Sequence, residues 1–282
     1  MPEQPPSSLW EKIKEQTERA LKNGALQPIP TEYEFIEQDG IRFLVRVLSN
    51  LVRKDEAKKQ ERSTKKDFNP FLPYDEKLFV TDISDTHLCL LNKYNVVEYH
   101  ILIVTRAFEE QESLLTQEDF AAMWACLGQI DGLVFYNAGK AAGASQRHKH
   151  LQLIALPLLP EEVNLPIEPL LAEASFSHGV GTIPTLPFKH AFVKFDSQTA
   201  EATKDCYSTL LRKLDLQGKE FCPYNLLATR EWMLIVPRSQ ECFESISVNS
   251  LGFAGALLVR DRQQLQRLKD YRPMTILKSV AR

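Results

Sequence analysis

The sequence predicts an α+β protein built mainly on antiparallel sheet. Three observations predict it. Aliphatic strand candidates recur along the whole chain, with helical segments between groups of them. An Asp39-Gly40 pair sits between two apolar runs, the signature of a tight hairpin. Leu102-Ile103-Val104-Thr105-Arg106 echoes Leu234-Ile235-Val236-Pro237-Arg238, each an apolar run ending on arginine, which points to two related halves. The chain has 282 residues, 44% hydrophobic and 25% charged, enough for one large core or two linked ones.

Residues 7–23 read as an amphipathic helix. Ser8 and Glu11 have capping-box spacing, Leu9, Ile13, Ala20 and Leu21 share a face, and Gly24 ends the run. Tyr33 to Ile36 and Ile41 to Val47 flank the Asp-Gly turn. Residues 53–67 carry seven basic and four acidic side chains without apolar periodicity. They read as a basic loop, either a solvated surface segment or a flap over a polyanion. Leu78 to Ile83, His87 to Leu91 and His100 to Thr105 are strand candidates. A helix starts at Thr116 and runs through Phe120, Met123, Trp124 and Leu127. Leu133 to Tyr136 and His148 to Ala155 are the next strands.

Six prolines fall between residues 156 and 187. They divide the chain into an N-terminal half (1–160), a crossover (161–187) and a C-terminal half (188–282). In the last part, His190 to Phe195, Tyr224 to Thr229 and Trp232 to Val236 read as strands. Residues 198–216 read as a helix, and Asp261 caps another.

Several function classes are excluded early. The 34 basic and 37 acidic residues nearly balance, which argues against general nucleic-acid binding. No stretch approaches the roughly 20 apolar residues of a spanning helix, and MPEQPPSSLW lacks the pattern of a signal peptide. Five widely spaced cysteines without a C-x-x-C pair fit reduced thiols in the cytoplasm.

The chemistry concentrates in FYNAGKAAGASQRHKHLQLI, residues 135–154. His148, His150 and Gln152 fall at i, i+2 and i+4, so a strand presents all three on one face while Leu151 and Leu153 anchor the other. The preceding loop holds Asn137, Gly139, Gly143, Ala144, Ser145 and Gln146. Glycines let backbone approach a ligand, and amides and hydroxyls donate to phosphate oxygens. Neutral imidazole suits covalent phosphoryl work, because one ring nitrogen attacks while the other is held by a hydrogen bond. Two alternatives stand beside this reading. His-x-His is also a metal-ligand spacing, although no acidic residue lies between Lys140 and Pro160, and Arg147 and Lys149 oppose a cation. Strand histidines can also be purely structural. His87, His100, His178 and His190 are scattered singly and take that structural reading.

GASQRHKHLQLI resembles the active-site segment of ATP adenylyltransferases, the diadenosine tetraphosphate (Ap4A) phosphorylases of the histidine-triad and galactose-1-phosphate uridylyltransferase superfamily. FNPFLPYD (68–75), LNKYNVVEYHILIVTRAF (91–108), LVFYNAG (133–139), YNLLATREWMLIVPRSQE (224–241) and ISVNSLGFAGALLV (246–259) are similar to that family too. Together they span most of residues 40–260. The resemblance implies a histidine-triad-like, uridylyltransferase-like fold with two related halves, the first carrying the nucleophile and the second completing the cleft. It implies that His150 carries AMP, supported by His148 and Gln152. Glutamine at the fifth motif position implies transfer rather than hydrolysis, and Lys149 in place of proline implies the adenylyl branch. The implied reaction converts Ap4A and phosphate to ATP and ADP, with those small nucleotides as partners and no separable cofactor. Asn92 and Lys93, and Lys54 with Lys65 or Lys66, are further candidate contacts. A hydrolase or another nucleotidyl transferase on the same scaffold, or a nucleotide sensor without turnover, are the alternatives.

Overall fold

The computed structural model describes residues 7–48, 68–159, 164–218 and 220–282. The basic stretch at 53–67, with Lys54, Lys65 and Lys66, lies outside the described residues.

Helix α1 (Leu9–Lys22) starts at the expected capping box: Ser8 Oγ accepts the Glu11 N–H at 3.3 Å, and Glu11 accepts the Ser8 N–H at 2.8 Å. Strands β1 (Thr31–Gln38) and β2 (Ile41–Leu48) form the hairpin. Asp39 and Gly40 take φ of +51° and +79°, as a type I′ turn requires. Next come β3 (Phe79–Asp82), β4 (His87–Leu91), β5 (Ile101–Thr105), α2 (Gln117–Leu127), β6 (Gly132–Ala138) and β7 (His150–Ala155). Thr116 and Asp119 make a second capping box at α2. Then follow α3 (Glu168–Leu171), β8 (Ser175–Ser177), β9 (Val180–Thr182), β10 (Ala191–Lys194), α4 (Ala200–Lys213), β11 (Tyr224–Ala228) and β12 (Trp232–Pro237). The chain closes with β13 (Cys242–Phe243), β14 (Ile246–Ser247), α5 (Ser250–Phe253), β15 (Ala256–Val259), α6 (Arg262–Tyr271) and α7 (Pro273–Val280).

One antiparallel sheet of ten strands runs through both halves in the order β3-β4-β5-β7-β6-β11-β12-β10-β9-β8. Read outward from the β6–β11 seam, the two sides match: β6, β7, β5, β4, β3 against β11, β12, β10, β9, β8. Each half is three strands, a helix and two more strands, with the last two exchanged in the sheet. The repeat therefore lies in the topology. The five-residue echo does not mark it, since residues 102–106 begin on β5 whereas residues 234–238 end β12, and β5 corresponds to β10. Aliphatic strands look alike because burial on both faces selects the same residues. Ser175–Thr182, inside the stretch expected as a crossover, supplies β8 and β9. These strands are short, and β8 is exposed throughout, so no buried alternation announces it.

Both faces of the large sheet are covered. On one, Leu151, Leu153, Tyr136, Leu226 and Met233 pack with α1, α2 and α4. On the other, a three-stranded sheet in the order β1-β2-β15 and helices α6 and α7 pack against Leu133, Phe135, Leu227 and Leu234. A separate cluster of Phe71, Leu88, Leu90, Leu102 and Val104 covers the N-terminal end of that second face. The polar face of β7 falls between these two clusters.

Candidate functional site

His150 opens β7, opposite Val104 of β5. Its Nδ1 lies 2.8 Å from the His148 carbonyl oxygen. A carbonyl only accepts, so Nδ1 carries the proton and Nε2 keeps its lone pair. Among the described residues Nε2 has no hydrogen-bond partner. The ring is 5% exposed, and burial pushes its pKa down to about 4. His150 is therefore neutral at pH 7 with a defined tautomer, the state a nitrogen nucleophile needs.

Gln152 is two residues on, opposite Leu102. Its Oε1 lies 3.0 Å from His100 Nε2, and His100 Nδ1 lies 3.1 Å from Asn92 Nδ2. An amide NH₂ donates, so His100 Nδ1 accepts and His100 Nε2 donates to Gln152. Burial holds the His100 pKa at about 4, which keeps this relay uncharged. The Gln152 carbonyl is thereby occupied, and its amide hydrogens remain for a ligand. His100, read in the sequence as structural, is a direct partner of the motif glutamine. Asn92 sits one step behind it. Lys93, beside Asn92, places its Nζ 5.8 Å from the Tyr94 ring centroid.

His148 lies just before β7, in an isolated bridge with Glu110 rather than within the strand expected from His148. Its Nε2 donates to the Thr105 carbonyl at 2.8 Å, and its Nδ1 accepts from Asn69 Nδ2 at 3.0 Å. Both ring nitrogens are used, so His148 presents its backbone carbonyl to His150 rather than its imidazole. The Phe71 ring packs against both histidines, with centroids 5.2 Å from His150 and 5.7 Å from His148.

The loop between β6 and β7 is folded by Gly139 and Gly143, with φ of +84° and +90°. A Cβ on Gly143 would stand 3.0 Å from the Val248 carbonyl oxygen, so the loop lies directly against the C-terminal half. Gly143, Ala144 and Gln146 are half-buried and Ser145 is exposed. Asn137 is buried. Its Oδ1 accepts from Asn225 Nδ2 at 2.9 Å, Ser250 N at 2.9 Å and Ser250 Oγ at 2.7 Å. Arg238, which ends the second of the two echoing runs, is fully buried. It donates to the carbonyls of Val248 at 2.8 Å, Gln240 at 2.8 Å and Val280 at 3.1 Å, and to Ala142 at 3.4 Å. It thus pins the phosphate-loop candidate to the second half. Arg147 pairs with Glu110 at the surface.

Lys149 points to the face of the sheet opposite His150 and Gln152. Its Nζ meets Asp119 Oδ2 at 2.6 Å, Glu109 Oε2 at 3.0 Å and the Leu114 carbonyl at 3.1 Å. His87 Nε2 donates to the other Asp119 oxygen at 3.0 Å. Burial raises the Asp119 pKa, but bonds from His87 and Lys149 outweigh it and hold the carboxyl below its usual range. Lys149 is 0% and Asp119 1% exposed. Lys149→Met leaves that carboxylate without its cation and is expected to destabilise the protein by about 3–5 kcal/mol in urea unfolding. Adding Asp119→Leu should restore part of the loss; a fully additive double mutant would show that the pair is uncoupled.

Sequence reasoning missed Asn69, His100, Thr105 and Gln111. Asn69, His100 and Thr105 lie in motifs that carried the resemblance, and Thr105 Oγ1 stands 3.1 Å from His148 Nε2; Gln111 lies in none of those motifs. Each acts through a contact distant in sequence, so no local pattern marks it.

The site sets a buried neutral histidine beside a free amide on an antiparallel sheet of two matching halves. The family model for the Ap4A phosphorylase N-terminal domain matches residues 2–173, and that for the ATP adenylyltransferase C-terminal domain matches residues 184–282. The chain belongs to the Ap4A phosphorylase family. Diadenosine tetraphosphate phosphorylase 2 of Saccharomyces cerevisiae is 29% identical over 301 residues, covering 93% of this chain and 90% of the relative. The crystal structure of yeast Ap4A phosphorylase Apa2 matches with a TM-score of 0.82 at 26% identity, covering 98% of both chains. The same yeast enzyme in complex with Ap4A matches with a TM-score of 0.83 at 26% identity over the same share of each chain.

Proposed function

We propose that this chain catalyses the reversible phosphorolysis of Ap4A to ATP and ADP through an adenylyl group on His150. Nε2 of His150 attacks an α-phosphorus of Ap4A, forming an N–P bond as the bond to the departing ATP breaks. An oxygen of inorganic phosphate then attacks the same phosphorus, the N–P bond breaks, and ADP leaves with His150 restored. The observation that carries this reading is the bond from Nδ1 to the His148 carbonyl, which commits the proton to one nitrogen and the lone pair to the other.

The remaining groups take supporting roles. Gln152, oriented by His100 and Asn92, donates its amide to the transferring phosphoryl oxygens without adding charge. The loop at Gly143, Ala144, Ser145 and Gln146 offers backbone and side-chain donors to the phosphate chain. Asn137 holds that loop's base, Lys93 contributes a cation from the turn beside Asn92, and Lys54 is the candidate from the basic stretch. The N-terminal half carries the nucleophile, and the second half, which starts at β8 rather than at residue 188, completes the cleft. Free thiols at all five cysteines support a cytoplasmic setting, and no helix among the described residues is long and apolar enough to cross a membrane.

The test is the intact mass of the protein after incubation with Ap4A in the absence of phosphate. A gain of one adenylyl group, discharged as ADP when phosphate is added, is the expected result. AMP release independent of phosphate would make the protein a hydrolase instead. Binding of Ap4A without adduct or product would make it a sensor.

A further inference from the structure

We propose that Gln111 is the positioning residue that sets where His150 stands, an inference that rests on His150 being the nucleophile. The β6–β7 ladder is regular from Gly132↔Ala155 to Phe135↔Gln152. Continuing that register would put Asn137 opposite His150, but the two backbones do not pair there. The side chain of Gln111 is inserted between them. Its Oε1 accepts the His150 N–H at 2.9 Å, and its Nε2 donates to the Asn137 carbonyl at 3.0 Å and the His150 carbonyl at 3.2 Å. A side-chain amide thus replaces one rung of the sheet.

The segment that bears Gln111 continues the exchange. Gln111 N–H donates to the Arg147 carbonyl at 2.6 Å, Lys149 N–H donates to the Glu109 carbonyl at 2.8 Å, and Glu110 bridges His148. The strand entering His150 is therefore paired with residues 109–111, while β6 leaves it to form the glycine loop. Gln111 sits at the fork. Tyr136 Oη, on β6, donates to the Gln111 carbonyl and fixes the fork from the side.

The position needs one acceptor and two donors on a planar group of this length, and Gln111 is 2% exposed. Glutamate keeps the acceptor and loses both donors. Methionine keeps the volume and loses all three bonds. Gln111 touches no reacting atom in this arrangement. It acts by holding the gap between the nucleophile and the loop, and misplacement by about 1 Å costs on the order of 10²-fold in rate.

Gln111→Met and Gln111→Glu are compared with the unmodified protein for adenylyl-enzyme formation in a single turnover, for kcat and KM, and for the pH profile of kcat/KM. The expected result is a loss of about 10²-fold in kcat for both, with KM changed only a few-fold. In Gln111→Glu alone, the new carboxylate beside His150 should move the acid limb to higher pH. Wild-type kcat and an unmoved acid limb in the folded variants, whatever their stability, would overturn the proposal. If both variants fail to fold, Tyr136→Phe decides: a several-fold loss of kcat at unchanged KM supports the fork, and unchanged kcat overturns it. Absence of an adduct in the unmodified protein would instead sink the nucleophile reading, and the positioning role with it.

Discussion

His150→Ala is expected to lose about 10⁶-fold in phosphorolysis, the scale seen when the nucleophile of a covalent mechanism is removed. The loss should fall on kcat, because the groups proposed to hold the phosphate chain remain and Ap4A should still bind. The intact-mass experiment should show no adenylyl adduct in the variant. The protein should stay folded, since the His150 side chain contributes its Nδ1 bond to the His148 carbonyl two residues before it and its ring contact with Phe71. His148→Ala makes the informative contrast. Its imidazole is committed to Thr105 and Asn69, and the His148 carbonyl that orients His150 belongs to the backbone. Retention of activity within tenfold by His150→Ala would remove the covalent route.

The second large effect is loss of stability in acid. Burial holds both His100 and His150 at about 4, against 6.5 in the unfolded chain. Between those values the unfolded chain binds protons that the folded one refuses, so stability rises with pH through this window. It is fully present above pH 6.5 and is lost as pH falls towards 4. Each histidine contributes about 3 kcal/mol over the whole window, and on the order of 2 kcal/mol is gone at pH 5. Burial lowers His148 and His190 in the same sense. Urea midpoints at pH 7, 6 and 5 should fall steadily, and His100→Phe should flatten the curve. Equal midpoints at pH 7 and 5 would show that neither ring is held neutral. The acid limb of kcat/KM should accordingly lie nearer pH 4 than 6.5.

Much of the architecture was legible because it is locally encoded. The Ser8–Glu11 capping pair, the helix start at Thr116 and the Asp39-Gly40 turn act within three residues of themselves. The alternation of His150, Leu151, Gln152 and Leu153 placed the polar pair on one face and the apolar pair on the other. What was not legible comes from contacts across the sheet. His100 reaches Gln152 only because β5 pairs with β7, and Gln111 reaches His150 only because the strands part there. Lys149 carries no local sign that it faces Asp119 rather than the ligand. The pairing of β6 with β11 likewise joins residues about ninety positions apart, so the twofold plan emerges from topology and not from sequence likeness.

That central seam also decides how the reactive centre comes apart. β7 lies one strand from the seam, paired on one side with β5 and on the other with β6. Fraying at either rim, β3 or β8, leaves it untouched. To release β7 the molecule must break rungs in the middle of a ten-stranded ladder, while His150, at the first position of that strand, is held by β5 on one side and by the Gln111 side chain on the other. The strand that carries His150 belongs to the middle of the sheet, so exchange of its amides with solvent is expected to follow global unfolding, whereas the rim strands open locally.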